Sequence, residues 1–349
     1  MSGILNKKAI TIKDIAQQCS VSTGTVSRVI NRSGAVSETA RKKVEEAINR
    51  TGFQPSSAAR SMVNKKSEII GIIVPEVKNP FLAHLVELLE IAFASNGLSI
   101  MLCNTGYQYD NIQRFTDNLV RRNAEGVIFV ASDLRDEERI MRIRQKLNVV
   151  LISSSFGDFD NVNTTDWQSA FEMTEYLISM GHTRIACMGY HEYSIPTIRR
   201  FQGYCDAMKK HGLGIDEQML MPSDSVSGGI QNRGYILAKK LLDLSKRPTA
   251  IFAINDYYAV NVYLAVKEAG LTIGRDISVV GFDDVDISQL VDPPLTTVRY
   301  SIDTLAGLAV DIMMRKIRGE ASDGAKSIQL SGVLIKRDSV ADIARTPAE

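Results

Sequence analysis

Apolar residues return at helical intervals through the first fifty positions, then give way from Ile69 onward to short unbroken apolar runs. In TIKDIAQQCSVSTGTVSRVIN, residues 11–31, Thr11 and Asp14 can close a capping box. Ile12, Ile15, Ala16 and Cys19 follow at the spacing of one helix face. The polar break from Ser20 to Ser22 ends that helix, and the Ser22 hydroxyl can cap a second one. There Val26 and Ile30 are expected to face inward, which leaves Thr23, Gly24, Ser27 and Arg28 outside. A third helix, ETARKKVEEAINR, starts from the Ser37 cap, with Ala40, Val44, Ala47 and Ile48 as its inner face, and ends at Gly52. Two short helices around a tight turn, the second showing small polar groups and one arginine, have the build of a helix-turn-helix DNA reader. The competing reading is a helical pair whose polar face is merely solvated.

The later pattern is different. IIGIIV (69–74), LSIMLC (98–103), GVIFV (126–130) and VVLIS (149–153) are short, branched and apolar, as strands covered on both faces are. RIACMG (184–189), TAIFAIN (249–255) and ISVVGF (277–282) form a second series. Amphipathic stretches at 80–96, 109–122, 136–146, 167–181, 196–211, 230–244 and 257–270 separate them. Strands alternating with helices imply parallel sheets with helices on both faces, and two series imply two lobes. TTVRYS (296–301), a helix to Arg318 and a closing strand SIQLSGVLIKR (327–337) have no βα partner and return to the lobes by crossovers. The expected architecture is an N-terminal all-α helix-turn-helix head plus an α/β body of two doubly wound parallel-sheet lobes. The head covers 1–54, a hinge and linker 55–67, and the body 68–345. Lobe 1 is expected at about 68–163 and 295–325, lobe 2 at about 164–294 and 326–345. Ligands of such sheets bind off the C-terminal strand ends, here the cleft between lobes.

Charge sharpens this division. The chain of 349 residues has a formal net charge of +1, but residues 1–66 hold 12 Lys or Arg against 4 Asp or Glu, and the remainder 29 against 36. A basic head on an acidic body fits a phosphate-binding module attached to a domain that does not bind nucleic acid. Anionic lipid is a poorer partner, because the head lacks an apolar stripe with anchoring aromatics. Cys19, Cys103 and Cys187 sit in apolar runs and read as small core residues in a reducing compartment, with Cys205 less so. No signal-peptide pattern opens the sequence, and no apolar run reaches ~18 residues, so a cytoplasmic protein is expected.

Residues 55–63, PSSAARSMV, lean helical but span about two turns, too few to hold a helix alone in water. One reading is a flexible linker. The other is a hinge that folds only against DNA and a second copy of itself, with Met62 wedged between base steps and Arg60 and Lys65 near phosphates.

Little in the body points to catalysis. There is no GxGxxG after a strand, no GxxxxGK[ST], no GxSxG and no HExxH. The four histidines, His84, His182, His191 and His211, are scattered and suit surface or capping roles. Asp283 and Asp284 are adjacent and would point in different directions, against a metal site at Asp283–Asp286. The body therefore reads as a binding domain without cofactor or metal, and not as an enzyme. The alternative is a cytoplasmic small-molecule-binding protein or carbohydrate enzyme with a basic head. Polar groups do cluster at strand ends: Asn79, Pro80 and Phe81, then Ser153 to Ser155, Arg200, Asn255, Asp256 and Asp283. Arginine and aspartate can grip a polyhydroxylated ligand from two sides, while Phe81 and Tyr193 cover its apolar face. Singly, each has a loop-capping or helix-start alternative, Asp256 above all. Trp167 reads as packing.

The segments VSRVIN, VSETARKKVEEAI, GFQPSSAARSM, IIGIIVPEVKNPF, GHTRIACMG, RRFQGYCDAM, AINDYYAV, ISVVGFDDVD and PPLTTVRY together resemble the lactose/purine-repressor (LacI/GalR) family of transcription regulators, over about residues 10–340. The resemblance implies a periplasmic-binding-protein-like body and a homodimeric repressor. It also implies a near-palindromic double-stranded operator and a small-molecule effector, often a sugar or nucleobase. By position it puts Thr11, Thr23, Gly24, Thr25, Ser27, Arg28 and Asn31 on DNA, with Ser57, Ala59, Arg60 and Met62 in the hinge. It puts Arg200, Asn255 and Asp283 at the effector, where Asn79, Phe81, Leu82, Ser153 and Tyr193 complete the expected effector site. Met62 stands where the family usually has leucine, and Ser153 where many members carry an acidic residue. No leucine heptad follows the last strand, so a dimer rather than a tetramer is expected.

Overall fold

The computed structural model describes residues 10–30, 33–53, 67–132, 134, 137–154, 158–225, 230–320 and 324–344. They divide into two units, up to Ser67 and from Glu68.

In the first unit, helix α1 spans Ile12–Cys19, α2 Thr23–Ile30 and α3 Glu38–Thr51. The Thr11–Asp14 capping box forms: the Thr11 N–H donates to Asp14 Oδ2 at 2.7 Å, and the Asp14 N–H to Thr11 Oγ1 at 3.4 Å. Ser22 accepts from the Thr25 N–H at 3.0 Å and Ser37 from the Ala40 N–H at 3.3 Å, each holding an otherwise orphaned helix donor. Gly52 closes α3 at φ +64°, where its lack of Cβ costs nothing. Ile15, Ala16, Cys19, Val26, Val29, Val44, Ala47 and Phe53 make the core. One expectation needs correcting: the buried partner of Val26 in α2 is Val29, and Ile30 is half-buried at the edge.

The second unit begins with strands β1 (Ile69–Val74), β2 (Ser99–Asn104), β3 (Gly126–Val130), β4 (Asn148–Ile152) and β5 (Asn161–Thr164). Helices α4 (Pro80–Ala94), α5 (Tyr109–Arg121) and α6 (Glu137–Arg144) run between them. There follow α7 (Asp166–Ser179), β6 (Ile185–Met188), α8 (Ile195–Lys210), β7 (Leu220–Met221), α9 (Ile230–Leu242), β8 (Ala250–Ala253), α10 (Asp256–Glu268) and β9 (Ser278–Val280). The chain closes with α11 (Ile287–Leu290), β10 (Thr297–Arg299), α12 (Ile302–Arg318), β11 (Ser327–Leu330) and β12 (Val333–Ile335).

Lobe 1 is a parallel sheet in the order β11-β5-β4-β3-β1-β2, and lobe 2 a parallel sheet in the order β7-β6-β8-β9. β10 continues beside the end of β9 through parallel bridges from Thr296 to Val280 and from Arg299 to Asp283, and pairs antiparallel with β12. The lobe boundaries differ from expectation at both ends of the closing segment. β10 stands with lobe 2, where Val298 and Tyr300 are core, whereas 295–325 was expected in lobe 1. β11 joins lobe 1 beside β5, whereas 326–345 was expected in lobe 2. SIQLSGVLIKR is two strands because its halves pair in different sheets, β11 with β5 and β12 with β10; at the junction a Cβ on Gly332 would come within 2.5 Å of Ser169 Oγ and 2.7 Å of Val298. The chain therefore crosses between lobes three times, after Thr164, after Tyr300 and after Leu330.

Beyond β12 the backbone lies along the free edge of β9. The Val279 N–H donates to the Ser339 carbonyl at 2.9 Å, Ser339 Oγ to the Val279 carbonyl at 2.6 Å, and the Ala341 N–H to Ser278 Oγ at 2.9 Å.

Candidate functional site

The face of the first unit that sequence assigns to DNA is small and polar. Thr11, Thr23, Gly24 and Arg28 are exposed, and Thr25 and Ser27 half-buried. Thr25 Oγ1 lies 3.0 Å from Ser22 Oγ, within the cap of α2. A Cβ on Gly24 would meet only Ser22 Oγ at 3.6 Å, an ordinary contact, so packing does not require glycine there. The bare position instead leaves the first turn of α2 without bulk. Asn31, Ser57, Ala59, Arg60 and Met62 lie outside the described residues.

In the second unit, groups converge beyond the ends of β6, β8 and β9 on Arg200, a buried residue of α8. Its Nε donates to Asp166 Oδ1 at 2.8 Å and its Nη1 to the Ile254 carbonyl at 2.9 Å. Its Nη2 lies 3.1 Å from Asp283 Oδ1, and the Phe282 ring centroid is 3.8 Å from the guanidinium carbon. Two of the five guanidinium N–H groups are thus hydrogen-bonded, and the Asp283 contact is an ion pair, with Asp283 Oδ1 itself left without a hydrogen bond. The turn after β9 brings Asp283 there. Asp283 has φ +108°, and Gly281 lets the chain pass where a Cβ would come within 2.2 Å of Asp256 Oδ1.

Burial works against the charge on Arg200, but Asp283 and Asp166 outweigh it and raise its pKa above the ordinary guanidinium value. Burial also pushes Asp283 up to about 6, with Arg200 pulling it down and Asp166 adding to the rise. One arginine is thus matched by two carboxylates. Asp256 is the first residue of α10, yet its carboxylate serves the loop rather than the helix. It accepts from the Val285 N–H at 2.9 Å and from Thr297 Oγ1 at 2.6 Å. Burial, then Asp283, raises its pKa well above the ordinary carboxylate value. Asn255 caps α10, its Oδ1 accepting from the Tyr258 N–H at 3.0 Å.

An aromatic group joins the lobes beside this knot. Tyr107, after β2 at φ +61°, stacks on His191, after β6, with centroids 4.5 Å apart and planes at 21°. Tyr193 is tilted at 5.3 Å from the same imidazole, and its N–H donates to His191 Nδ1 at 3.1 Å. That bond makes Nδ1 the acceptor, so the neutral ring carries its proton on Nε2. Burial lowers the His191 pKa, Asp224 raises it and Arg233 lowers it further. Burial raises Glu76 while Lys78 and Arg233 pull it down, so a cation of α9 and a carboxylate after β1 feel each other near the cleft. A chamber of about 240 Å³ opens beside the stack, lined by Pro75, Thr105, Tyr107, Gln108, Ser132 and Tyr193 among others.

Of the residues expected at the ligand, the structure brings together Arg200 and Asp283, with Asn255 one residue past the carbonyl that holds Arg200. Tyr193 joins the aromatic group. Asn79 caps α4, accepting from the Phe81 N–H at 2.9 Å, and Phe81 and Leu82 are buried in the lobe 1 core. Those three engage α4 and its packing rather than Arg200. Ser153 is half-buried, at φ +49°, with its Oγ 3.5 Å from Thr164 Oγ1. Of the histidines expected in surface or capping roles, His191 and His182 are both buried: His191 Nδ1 caps the Tyr193 N–H in its loop, and His182 Nδ1 lies 3.0 Å from Thr249 Oγ1. Asp166, Tyr107, His191 and Phe282 escape a sequence reading. Asp166 follows a strand with no apolar run to announce it, while the others contact across the fold. Among the described residues no group of three or more His, Cys, Asp or Glu is placed to hold a metal, and no helix is long and apolar enough to cross a membrane.

The family model described as bacterial regulatory proteins, lacI family, matches residues 11–56, and that of the periplasmic binding protein-like domain matches 174–340. The chain is 34% identical over 332 residues to the ribose operon repressor of Escherichia coli (strain K12), spanning 94% of this chain and 99% of that protein. It is 28% identical over 340 residues to the HTH-type transcriptional repressor PurR of Vibrio cholerae serotype O1 (strain M66-2), spanning 96% and 99%. Among solved structures, the lac repressor dimer bound to operator and an anti-inducer has a TM-score of 0.81 at 24% identity, covering 96% of this chain and 100% of that one, a likeness of fold. A LacI family transcriptional regulator from Enterococcus faecium with bound ribose has a TM-score of 0.69 at 26% identity, covering 79% and 99%. With its helix-turn-helix unit and two-lobed body, this chain belongs to the lacI family of bacterial regulatory proteins, DNA-binding transcriptional regulators controlled by small molecules.

Proposed function

We propose that two copies of this chain repress transcription from a near-palindromic operator in the cytoplasm, and that an uncharged sugar bound between the lobes controls their grip. Thr11, Thr23, Gly24, Thr25, Ser27, Arg28 and Asn31 meet bases or flanking backbone. The hinge residues Ser57, Ala59, Arg60 and Met62 complete the contact in the minor groove. In the cleft, Arg200, Asn255 and Asp283 meet hydroxyls and Tyr193 covers the apolar face, with Asn79, Phe81, Leu82 and Ser153 shaping the lobe 1 side.

The observation that carries the reading is the buried Arg200, held by Asp166 and Asp283 at the strand ends. Guanidinium N–H donors beside a carboxylate oxygen that lacks a hydrogen bond, Asp283 Oδ1, are what neighbouring hydroxyls require. Because two carboxylates already match the arginine, a phosphate would meet net negative charge, which selects against an anionic effector. A repressor of the ribose operon as a relative at 34% identity and ribose in a structural neighbour point the same way. A carbohydrate enzyme would need a nucleophile or acid–base pair facing the ligand. The carboxylates nearest Arg200 are instead occupied as its counter-ions.

The mechanism rests on the length and composition of the sequence PSSAARSMV, residues 55–63. A segment of about two turns is unstable alone, so a few kcal/mol from altered lobe closure is enough to switch operator occupancy. The test combines thermal shift with a gel shift on the promoter region of the chain's own gene. D-ribose and related neutral sugars are expected to raise the melting temperature and to change operator affinity, while ribose 5-phosphate does neither. Operator binding should also fall steeply with salt. A shift with the phosphate alone would overturn the uncharged-effector reading, and absence of any DNA complex would overturn the repressor.

A further inference from the structure

Asp283 and Asp284 are consecutive, both at positive φ (+108° and +51°), and their side chains diverge. Asp283 meets Arg200. Asp284 faces away, with Oδ2 accepting from Arg299 Nε at 2.5 Å, and Oδ1 accepting from Arg337 Nη2 at 2.6 Å and Ser288 Oγ at 3.0 Å. Arg299 ends β10 and Arg337 follows β12, the antiparallel pair through which the chain leaves lobe 2 for α12 and returns from β11. Arg337 Nη1 also donates to the Leu295 carbonyl at 2.7 Å, so the guanidinium spans the loop before β10. The next residue, Val285, packs against the lobe 1 core while its N–H stays on Asp256. Three successive residues thus touch the cleft centre, both crossover strands and the opposite lobe.

Such a linkage is stiff. A buried carboxylate with two arginines and a hydroxyl around it has one good orientation, and turning it leaves desolvated charges unpaired. The Asp284 N–H lies 3.3 Å from Thr297 Oγ1, which itself donates to Asp256, so the backbone is held as well as the side chain.

We propose that Asp284 is a positioning residue that turns occupancy at Asp283 into a displacement of β10 and of the segment 333–337, and so sets lobe closure. This rests on the effector meeting Arg200 and Asp283. If Asp284 merely stapled the crossovers, its loss would lower stability without altering how the cleft and the strands communicate.

The experiment is hydrogen–deuterium exchange on the full chain, for wild type, Asp284→Asn and Arg299→Gln. In wild type, D-ribose should change exchange at 297–299 and 333–337 by about threefold or more. In Asp284→Asn the same sugar should still raise the melting temperature while the exchange change disappears. Arg299→Gln, altering a half-exposed side chain, carries the same expectation for 297–299 should Asp284→Asn fail to fold. A second arm needs no ligand: Asp283→Asn is made in the wild-type and Asp284→Asn or Arg299→Gln backgrounds. Its effect on exchange at 333–337, or at 297–299 for Arg299→Gln, should be present in the first background and lost in the second. Equal effects in both backgrounds, or a full ribose response in Asp284→Asn, would overturn the proposal. A wild-type chain that no sugar stabilises removes the carbohydrate reading alone, and the second arm then decides.

Discussion

Arg200 and Asp283 show how burial turns an ion pair into a pH-sensitive one. The folded value of Asp283, about 6, lies above its ordinary 3.8, so the folded state holds the extra proton between those values. Its contribution to stability is therefore fully present below about pH 4 and declines as pH rises through about 6. Denaturant unfolding from pH 4 to 7 is expected to show that decline in wild type and to lose it in Asp283→Asn, an isostere that never ionises. A flat difference between the two would contradict the shift. Asn255 and Asp283 could be placed in one region from strand ends, where ligands of open α/β sheets gather, while Arg200, within α8, was singled out with the help of the family resemblance. Asp166 was not. It follows β5, Asn161-Val-Asn-Thr, a strand of buried side-chain amides and hydroxyls: Asn163 Nδ2 donates to Asn161 Oδ1 at 2.8 Å and Thr164 Oγ1 to Asp166 Oδ2 at 2.6 Å. Polar groups that satisfy one another can be buried, and an apolar-run criterion cannot see them.

Among the elements, α7 and α8 are pressed together more closely than helices with ordinary side chains allow. A Cβ on Gly203 would lie 2.3 Å from the Trp167 carbonyl and 2.9 Å from the Phe171 nitrogen, backbone atoms that cannot turn aside. Gly203→Ala should therefore cost about 1–3 kcal/mol in urea unfolding. It should also weaken sugar binding, because α7 carries Asp166 and α8 carries Arg200. Gly307→Ala in α12, where a Cβ meets nothing within 4 Å, is the control and should be neutral or stabilising by about 0.5–1 kcal/mol. The helices were legible because period and caps agreed at Thr11, Ser22 and Ser37. Errors fell where two periods fit equally, as for Val29 against Ile30, and where the decisive fact was a distant contact. Gly332 in SIQLSGVLIKR reads as an ordinary strand glycine until Ser169 and Val298 are seen to crowd it.

For the whole molecule, the division of charge was the informative number. A chain of net +1 conceals 12 cationic against 4 anionic residues in 1–66, opposite a body of 29 against 36. Net positive charge is thus confined to the part of the chain that carries the small polar helix face. The body's acidity suits the cleft, where Arg200 is outnumbered by carboxylates and Arg233 acts near Glu76. The pairing of Tyr107 with His191 was out of reach of the sequence, since 84 positions separate two rings that the fold stacks between lobes.

The backbone from Arg337 to Ala344 has a protective consequence. Ser339 and Ala341 occupy hydrogen-bonding groups of Val279 and Ser278, while the Ile343 N–H reaches the Met180 carbonyl at 2.9 Å. A protease cut or stop codon after Lys336 would bare that flank of β9, and an uncovered strand recruits another chain. The shortened protein is expected to leave a sizing column as large soluble aggregates while the intact chain does not. Monodisperse elution of the shortened form would show that the flank needs no guard.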